Sequence, residues 1–142
     1  MRVHTTLAVL CLSAAPLFAQ TFDQAVAQLK ARVVKEGGSG LVVMAERTDV
    51  FQVKFRVQAV GATFQDIAVR PWDQRHEAIF AYSGMATDAV DGGGRLNEEP
   101  NVILFEVWGP DFRPKVTLKL PRRGEQAEVG TTYFGEKKGA AE

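Results

Sequence analysis

The chain has 142 residues, with 17 basic and 17 acidic side chains and a single cysteine. A neutral chain has no overall field to attract nucleic acid or an anionic membrane. One cysteine also excludes an intramolecular disulfide and a cysteine-based metal centre. We therefore expect one domain that is stabilised by packing of its core.

Residues 1–19 are typical of a secretory signal, with a basic residue near the start, an apolar run at 7–12 and small residues leading to Ala19. The apolar run is well short of the ~20 residues that a membrane-spanning helix needs. We predict cleavage after Ala19, and hence a periplasmic or secreted protein without a membrane span. A lipoprotein anchor at Cys11 is the alternative, but Leu10 stands where a small residue is expected.

A helix is predicted where the mature chain begins. Thr21 is a good N-cap, and Gln24 three residues later completes a T-x-x-Q capping box. The apolar residues that follow at helical spacing are Phe22, Val26, Leu29 and Val33. The glycine-rich residues 37–40 predict the end of the helix, because glycine readily adopts the left-handed conformation after the last turn.

Strand patterns follow the helix. Residues 41–46 form a short apolar run, and residues 51–60 alternate between apolar and polar side chains. Such alternation predicts a strand with one buried face and one wet face. After a turn at Gly61, residues 63–70 are predicted to return beside that strand, and residues 75–82 to form another one.

The second half of the chain is less regular. Residues 83–100 are predicted to be irregular, because the run Asp91-Gly92-Gly93-Gly94 disfavours a regular element. The nearly continuous apolar run at 101–108 predicts a central strand. Residues 115–120 alternate again, with Val116, Leu118 and Leu120 inward, and 128–134 is predicted to be a weaker strand.

One helix followed by about five to six strands with short connections predicts an α+β fold, in which the N-terminal helix packs on an antiparallel sheet. The alternation argues against a parallel sheet, whose strands are apolar on both faces. The alternative is a β-sandwich with an N-terminal helix. We expect a single domain at residues 20–134 and a disordered tail at 135–142, where the residues are small and polar.

Catalytic chemistry has little support in the sequence. His76 is the one histidine after the signal, so sites that need two imidazoles are excluded. Asp73, His76 and Ser83 are close in sequence, but no G-x-S-x-G motif accompanies them. The region 83–100 has the oxygen-bearing side chains Asp88, Asp91, Asn97, Glu98 and Glu99. It lacks the D-x-D-x-D-G spacing of a calcium loop. We predict no catalytic residue, no metal and no cofactor.

A basic surface is predicted on the wet faces of two strands. Lys115 and Lys119 share one such face, Lys54 and Arg56 share another, and Arg113 precedes the first pair. If the two strands belong to one sheet face, the cations form a stripe that suits an anionic ligand or an acidic protein surface. Lysines on wet strand faces are also ordinary, since they protect a sheet against aggregation.

Two tryptophans lie at predicted strand ends, Trp72 beside Pro71 and Trp108 beside Gly109-Pro110. A tryptophan on a turn can anchor a partner, because aromatic residues dominate binding hot spots. Each can equally close one end of the core, and the sequence leaves both interpretations open. The candidate binding residues are Lys54, Arg56, Trp72, Trp108, Arg113, Lys115 and Lys119.

A helix, then a hairpin bearing Gln58-Ala59-Val60-Gly61, then a later turn bearing Trp108-Gly109 is similar to cystatin-type protease inhibitors. That family has glycine four residues after the glutamine of its first loop, whereas Gly61 comes three after Gln58. Its second loop has proline before tryptophan, whereas Pro110 follows Trp108. The resemblance implies a protease-inhibitor-like module in which the Gly61 and Trp108 loops lie side by side.

The sequence thus predicts a small exported, non-catalytic binding module with a protein partner or an anionic ligand, and without affinity for nucleic acid. Two alternatives remain open. One is the protease-inhibitor-like module, and the other is a small periplasmic hydrolase that uses Asp73, His76 or the acidic region 83–100.

Overall fold

The computed structural model describes residues 20–71, 80–86, 88–95, 102–109 and 114–135. These residues form one helix and eight strands. The elements in chain order are α1 (Phe22–Glu36), β1 (Ser39–Asp49), β2 (Gln52–Val60), β3 (Phe64–Pro71), β4 (Phe80–Ala86), β5 (Val90–Arg95), β6 (Val102–Trp108), β7 (Lys115–Lys119) and β8 (Glu128–Gly135).

The eight strands form two sheets. Sheet A has the strand order β5-β2-β1-β8 and sheet B the order β4-β3-β6-β7, and all neighbours are antiparallel. The prediction of one helix with antiparallel strands is confirmed, but the single sheet of five to six strands is wrong. The arrangement is that of the alternative, two sheets with an N-terminal helix. Alternation shows which face of a strand is buried but not which strand lies beside it, so it cannot separate one sheet from two.

The two sheets face each other across one core. The buried residues of β2 are Val53, Phe55, Val57, Ala59 and Val60. The first four of these face sheet B, as the alternation predicts, and meet inward side chains of β3, β6 and β7. The rings of Phe55 and Phe105 join the sheets at the centre, in edge-to-face contact with 6.1 Å between centroids.

Helix α1 covers the outer face of sheet A. Its predicted capping box is confirmed: Thr21 Oγ1 accepts a hydrogen bond from the backbone N–H of Gln24 at 3.1 Å, and Gln24 Oε1 accepts one from the backbone N–H of Thr21 at 3.0 Å. The helix residues Phe22, Ala25, Val26 and Leu29 are buried against Val42 and Val60. The helix ends at Glu36, and Gly37 follows it with a φ of 80°.

Tyr133 of β8 holds the C-terminal end of α1. Its hydroxyl donates a hydrogen bond to the carbonyl oxygen of Gly37 at 2.6 Å. The guanidinium of Arg32 lies over the Tyr133 ring, 3.8 Å from its centroid. The strand β8 is therefore tied to α1, the first element that the structure describes.

The segment 63–70 differs from its prediction. It forms β3, but β3 pairs with β4 and β6 in sheet B and does not return beside β2. Residues 61–63 cross from one sheet to the other. Gly61 has a φ of 78°, and a Cβ there would lie 2.6 Å from the carbonyl oxygen of Gly38. Only glycine fits this crossing without strain.

Most of the described part of region 83–100 lies in strands, so the prediction of an irregular loop is wrong for residues 83–86 and 90–95. Strand β4 continues to Ala86, and the run Asp91–Gly94 lies inside β5. A Cβ at Gly92 would come within 2.7 Å of both the Phe55 and the Phe80 ring. This glycine allows close packing of side chains from two other strands, which no local pattern in the sequence records.

The strands define two ends of the molecule. The hairpin end holds the turn between β1 and β2, at Val50 and Phe51, and the connection from β7 to β8. The Trp108 end holds the end of β6, the end of β2 and the start of β3. Because Trp108 pairs with Asp66 of β3, it lies at the same end as Gly61.

Some predictions fall outside the described residues: the signal at 1–19, the first part of the predicted strand 75–82, and residues 136–142 of the tail. Gly135, the first residue of that predicted tail, belongs to β8. Within the described ranges, no helix has the length and apolar character needed to cross a membrane.

Candidate functional site

The outer face of sheet B carries Trp108, Lys115 and Lys119. All three point away from the core, because the residues that alternate with them point into it. The two lysines are exposed and Trp108 is half-buried. At the centre of this face Ala68 and Leu104 are buried, whereas Lys115, Thr117 and Lys119 of the edge strand β7 are exposed. The one helix that the structure describes lies on sheet A.

Three charged side chains from neighbouring strands, Arg70, Glu106 and Lys115, form a charged ladder across this face. Glu106 Oε1 accepts a hydrogen bond from Arg70 Nε at 3.0 Å, and Glu106 Oε2 lies 3.6 Å from Lys115 Nζ. The side chains of Arg70 and Glu106 are 25% and 14% exposed. A charge-assisted hydrogen bond that is partly shielded from water holds its geometry better than a fully exposed ion pair. The hydrogen bond from Arg70 therefore holds the Glu106 carboxylate in place, and the exposed Lys115 ammonium lies beside it.

Trp108 stands in a polar row at one end of the ladder. Its cross-strand neighbour in β3 is Asp66, and the neighbour of Asp66 in β4 is Ser83. An aromatic ring, a carboxylate and an exposed hydroxyl thus follow one another across the sheet. An aromatic surface beside hydrogen-bonding groups is the usual composition of a ligand-contact site.

Lys54 and Arg56 lie on the opposite outer face. Strand β2 belongs to sheet A and β7 to sheet B, so the stripe that requires both on one sheet face does not form. Arg56 instead forms an ion pair with Asp91 of β5, and its guanidinium lies 5.4 Å from the centroid of the Phe22 ring. The hydrogen bond from Arg56 lowers the pKa of Asp91, and the same bond raises the pKa of Arg56. Arg56 is therefore engaged within the protein.

Several predicted residues lie outside the described part of the chain. These are the binding candidates Trp72 and Arg113 and the residues of the hydrolase alternative, Asp73, His76, Glu98 and Glu99. Of the remaining polar candidates, Ser83 and Asp88 are exposed. Among described side chains there is no group of three or more potential metal ligands. The predictions that catalytic and metal sites are absent stay predictions.

No family model matches this sequence, and neither the curated proteins nor the solved structures contain a significant match to it.

The sequence reasoning missed Asp66, Arg70 and Glu106. A signal for Glu106 exists, because it is the one charged residue of the apolar run 101–108. Asp66 and Arg70 alternate with the buried Ile67 and Val69, so their outward direction is also readable. That they group around Trp108 and Lys115 cannot be read from the sequence, because the grouping depends on the order of the strands in sheet B.

Proposed function

We propose that the chain is a small exported binding module without catalytic activity, and that it contacts its partner through the outer face of sheet B around Trp108. One observation carries this proposal. Trp108, Lys115 and Lys119 lie in two different strands, yet they share one sheet face that the helix does not occupy.

The chemistry of this face favours a protein partner with an acidic surface. Trp108 offers a large apolar area at low cost in side-chain entropy. Lys115 and Lys119 attract negative charge, while the Arg70–Glu106 pair holds the centre of the face in one geometry. A preorganised surface loses less freedom on binding.

Site-specific photo-crosslinking tests the proposal. A photoreactive amino acid replaces the exposed Lys119, and the protein is irradiated in the cell that produces it. We expect one discrete cross-linked species. The substitution Trp108→Ala, added to the same protein, should reduce its yield at least ~5-fold, because losing a central aromatic contact typically costs more than 1 kcal/mol.

The matched control places the same photoreactive group at Val34, which is 87% exposed on α1. It should give no adduct of the same mass. Identical adducts from positions 34 and 119, or adducts that survive Trp108→Ala in a variant with unchanged thermal stability, would overturn the assignment of this face.

Export is tested on its own. If residues 1–19 are a signal, the protein recovered from the periplasm or the medium begins at Gln20 by mass spectrometry. Recovery of the intact N-terminus from the cytoplasm alone would remove export from the proposal and leave the binding face unaffected.

A protease-inhibitor-like role is the second candidate. It is favoured by the position of Gly61 and Trp108 at the same end of the molecule. Against it, Gln58, Ala59 and Val60 lie within strand β2 and not in a hairpin loop. The test is inhibition of serine, cysteine, aspartic and metallo-proteases on fluorogenic substrates. Inhibition that Trp108→Ala abolishes would support this role, and no inhibition of any class at micromolar protein would end it.

A further inference from the structure

The turn at the hairpin end presents adjacent apolar side chains to solvent. Among the described residues, the exposed large apolar side chains are Val34, Val50 and Phe51. Val34 stands alone on α1, whereas Val50 and Phe51 are neighbours at the tip of the turn, 36% and 38% exposed. A tip of this kind can insert into a soft apolar phase.

This turn is firmly supported. Arg47, only 7% exposed, donates from Nε to the carbonyl oxygen of Pro121 at 3.0 Å and from Nη1 to that of Val50 at 2.9 Å. Asp49 accepts a hydrogen bond from the backbone N–H of Val50 at 2.8 Å and bridges to Arg123 at 3.2 Å. These bonds join the turn to the connection between β7 and β8. Val50 and Phe51 are therefore held in place before any contact, which limits the entropy lost on binding.

Cations surround the tip. Arg95, at the end of β5, lies 5.9 Å from the centroid of the Phe51 ring, and Arg122 and Arg123 are exposed in the connection between β7 and β8. Together with the buried Arg47, four described arginines lie at the hairpin end. The described carboxylates of the turn and the connection are Asp49 and Glu125, and Glu125 accepts a hydrogen bond from the backbone N–H of Arg122 at 2.7 Å. Among the described residues of the turn, the connection and the end of β5, four arginines therefore stand against two carboxylates, so this described surface is basic although the chain as a whole is neutral.

We propose that the hairpin end docks on an anionic lipid surface. Val50 and Phe51 enter the boundary between headgroups and acyl chains, while Arg95, Arg122 and Arg123 contact lipid phosphates. A tip of two residues is too small for a stable protein interface, which buries about 800 Å² on each partner. It suits a membrane, where apolar insertion and attraction of each cation to anionic headgroups add together without shape complementarity.

Vesicle co-sedimentation tests the proposal, with the purified protein and vesicles of phosphatidylglycerol and phosphatidylethanolamine. We expect binding that weakens with salt and is absent on phosphatidylcholine. Val50→Ser with Phe51→Ser should weaken binding about 10-fold, because the apolar insertion is lost. Arg95→Gln with Arg122→Gln should weaken it roughly 25-fold, from about 5-fold for each cation. Because all variants carry the same N-terminus, residues 1–19 do not contribute to these differences.

Matched controls use equivalent side chains on α1. Val34→Ser and the pair Lys30→Gln with Lys35→Gln remove exposed apolar and basic groups there, and should change binding less than about 2-fold. A tryptophan reporter gives a readout that is independent of affinity. Emission added by Phe51→Trp should be quenched by brominated lipids, and emission added by Val34→Trp should not.

Three results would overturn the proposal. One is equal binding by wild type and the Val50→Ser, Phe51→Ser variant. Another is an equal loss in the α1 controls. The third is no binding to anionic vesicles together with binding to polyglutamate, which would show that this end recognises an acidic polypeptide.

Discussion

Gly92 is the position at which aromatic side chains of both sheets meet. The Phe80 ring of sheet B packs edge to face on Phe55 of sheet A, with centroids 5.0 Å apart, and a Cβ at Gly92 would lie 2.7 Å from each ring. We predict that Gly92→Ala lowers the free energy of unfolding by about 1–3 kcal/mol, because overpacking forces the rings from their preferred rotamers. Urea denaturation followed by circular dichroism measures this loss.

Gly93→Ala is the matched control for that substitution. This substitution changes the entropy of the unfolded chain in the same way. The new Cβ, however, points away from the core and meets only the carbonyl oxygen of Val53, at 3.0 Å, and the Cα of Lys54, at 3.9 Å. We expect the Gly92→Ala loss to exceed the Gly93→Ala loss by at least about 1 kcal/mol. Equal losses would mean that Gly92 affects the chain only through backbone freedom.

The pair of Arg56 and Asp91 makes stability depend on pH. The hydrogen bond from Arg56 lowers the folded-state pKa of Asp91, so the pair stabilises the fold above the unfolded pKa, near 3.9. This stabilisation is lost as the pH falls through the folded pKa. We predict that Asp91→Asn makes the free energy of unfolding fall less steeply below about pH 4. Both side chains are over one-third exposed, so water screens the pair and the loss at pH 7 should stay below about 1 kcal/mol.

Urea titrations at pH 7, 4 and 3 measure this dependence. Asp88→Asn is the control, because Asp88 is exposed in the short connection before β5. A pH dependence in Asp91→Asn that matches wild type, or an equal change in Asp88→Asn, would contradict a contribution from the Arg56 pair.

Helix α1 is fixed at its two ends by different hydrogen bonds. Thr21→Ala removes the acceptor for the Gln24 N–H and should cost about 1 kcal/mol of stability. Tyr133→Phe removes the donor to Gly37 and should cost a similar amount. About 22 Å of helix separates the two sites, so we predict that the double variant loses the sum within about 0.5 kcal/mol.

Chemical denaturation of the two single variants and the double variant measures this additivity. Thr131→Ala, at an exposed position of β8, is the control for a threonine without a capping role, and should cost under about 0.5 kcal/mol. A double variant that loses much less than the sum would show that α1 already detaches when one end is released.

The elements that the sequence predicts well are those with local information. The capping box and the apolar spacing define α1 from Thr21 to the glycines at 37 and 38. Alternation identifies the buried face of β2, and the continuous apolar run identifies β6 as an interior strand of sheet B. Each of these signals lies within one stretch of chain, so no partner has to be known.

Strand partners and glycine roles depend on distant residues. Residues 63–70 read as a strand, but only the glycine-mediated crossing at Gly61 places that strand in the second sheet. The glycines of β5 carry no side chain whose alternation could be read, and the fit at Gly92 depends on Phe55 and Phe80. The candidate surface can also be predicted only in part. The sequence shows that Trp108 and Lys115 point outward, but their grouping with Arg70 and Glu106 requires the strand order.

At the scale of the whole molecule, the two proposed contacts lie at different places. Trp108 marks one end of the strands, and Val50 and Phe51 mark the other. A protein that rests on lipid through its hairpin end would therefore hold the Trp108 end away from the membrane. The part of the partner surface around Trp108 and Lys115 would remain accessible from the aqueous phase, whereas Lys119 lies next to the hairpin end.

Both proposals require the two sheets to behave as one body. Phe55 and Phe105 meet between the sheets, so their substitutions should couple. We predict that Phe55→Leu and Phe105→Leu show an interaction energy of about 0.5–1.5 kcal/mol in a double-mutant cycle. We also predict that tryptophan fluorescence, which comes from Trp72 and from Trp108 in sheet B, and far-ultraviolet circular dichroism, which reports on both sheets, give coincident unfolding transitions. Separate transitions would mean that sheet A, with its helix, is stable without sheet B, and the hairpin end could then no longer fix the orientation of the Trp108 surface.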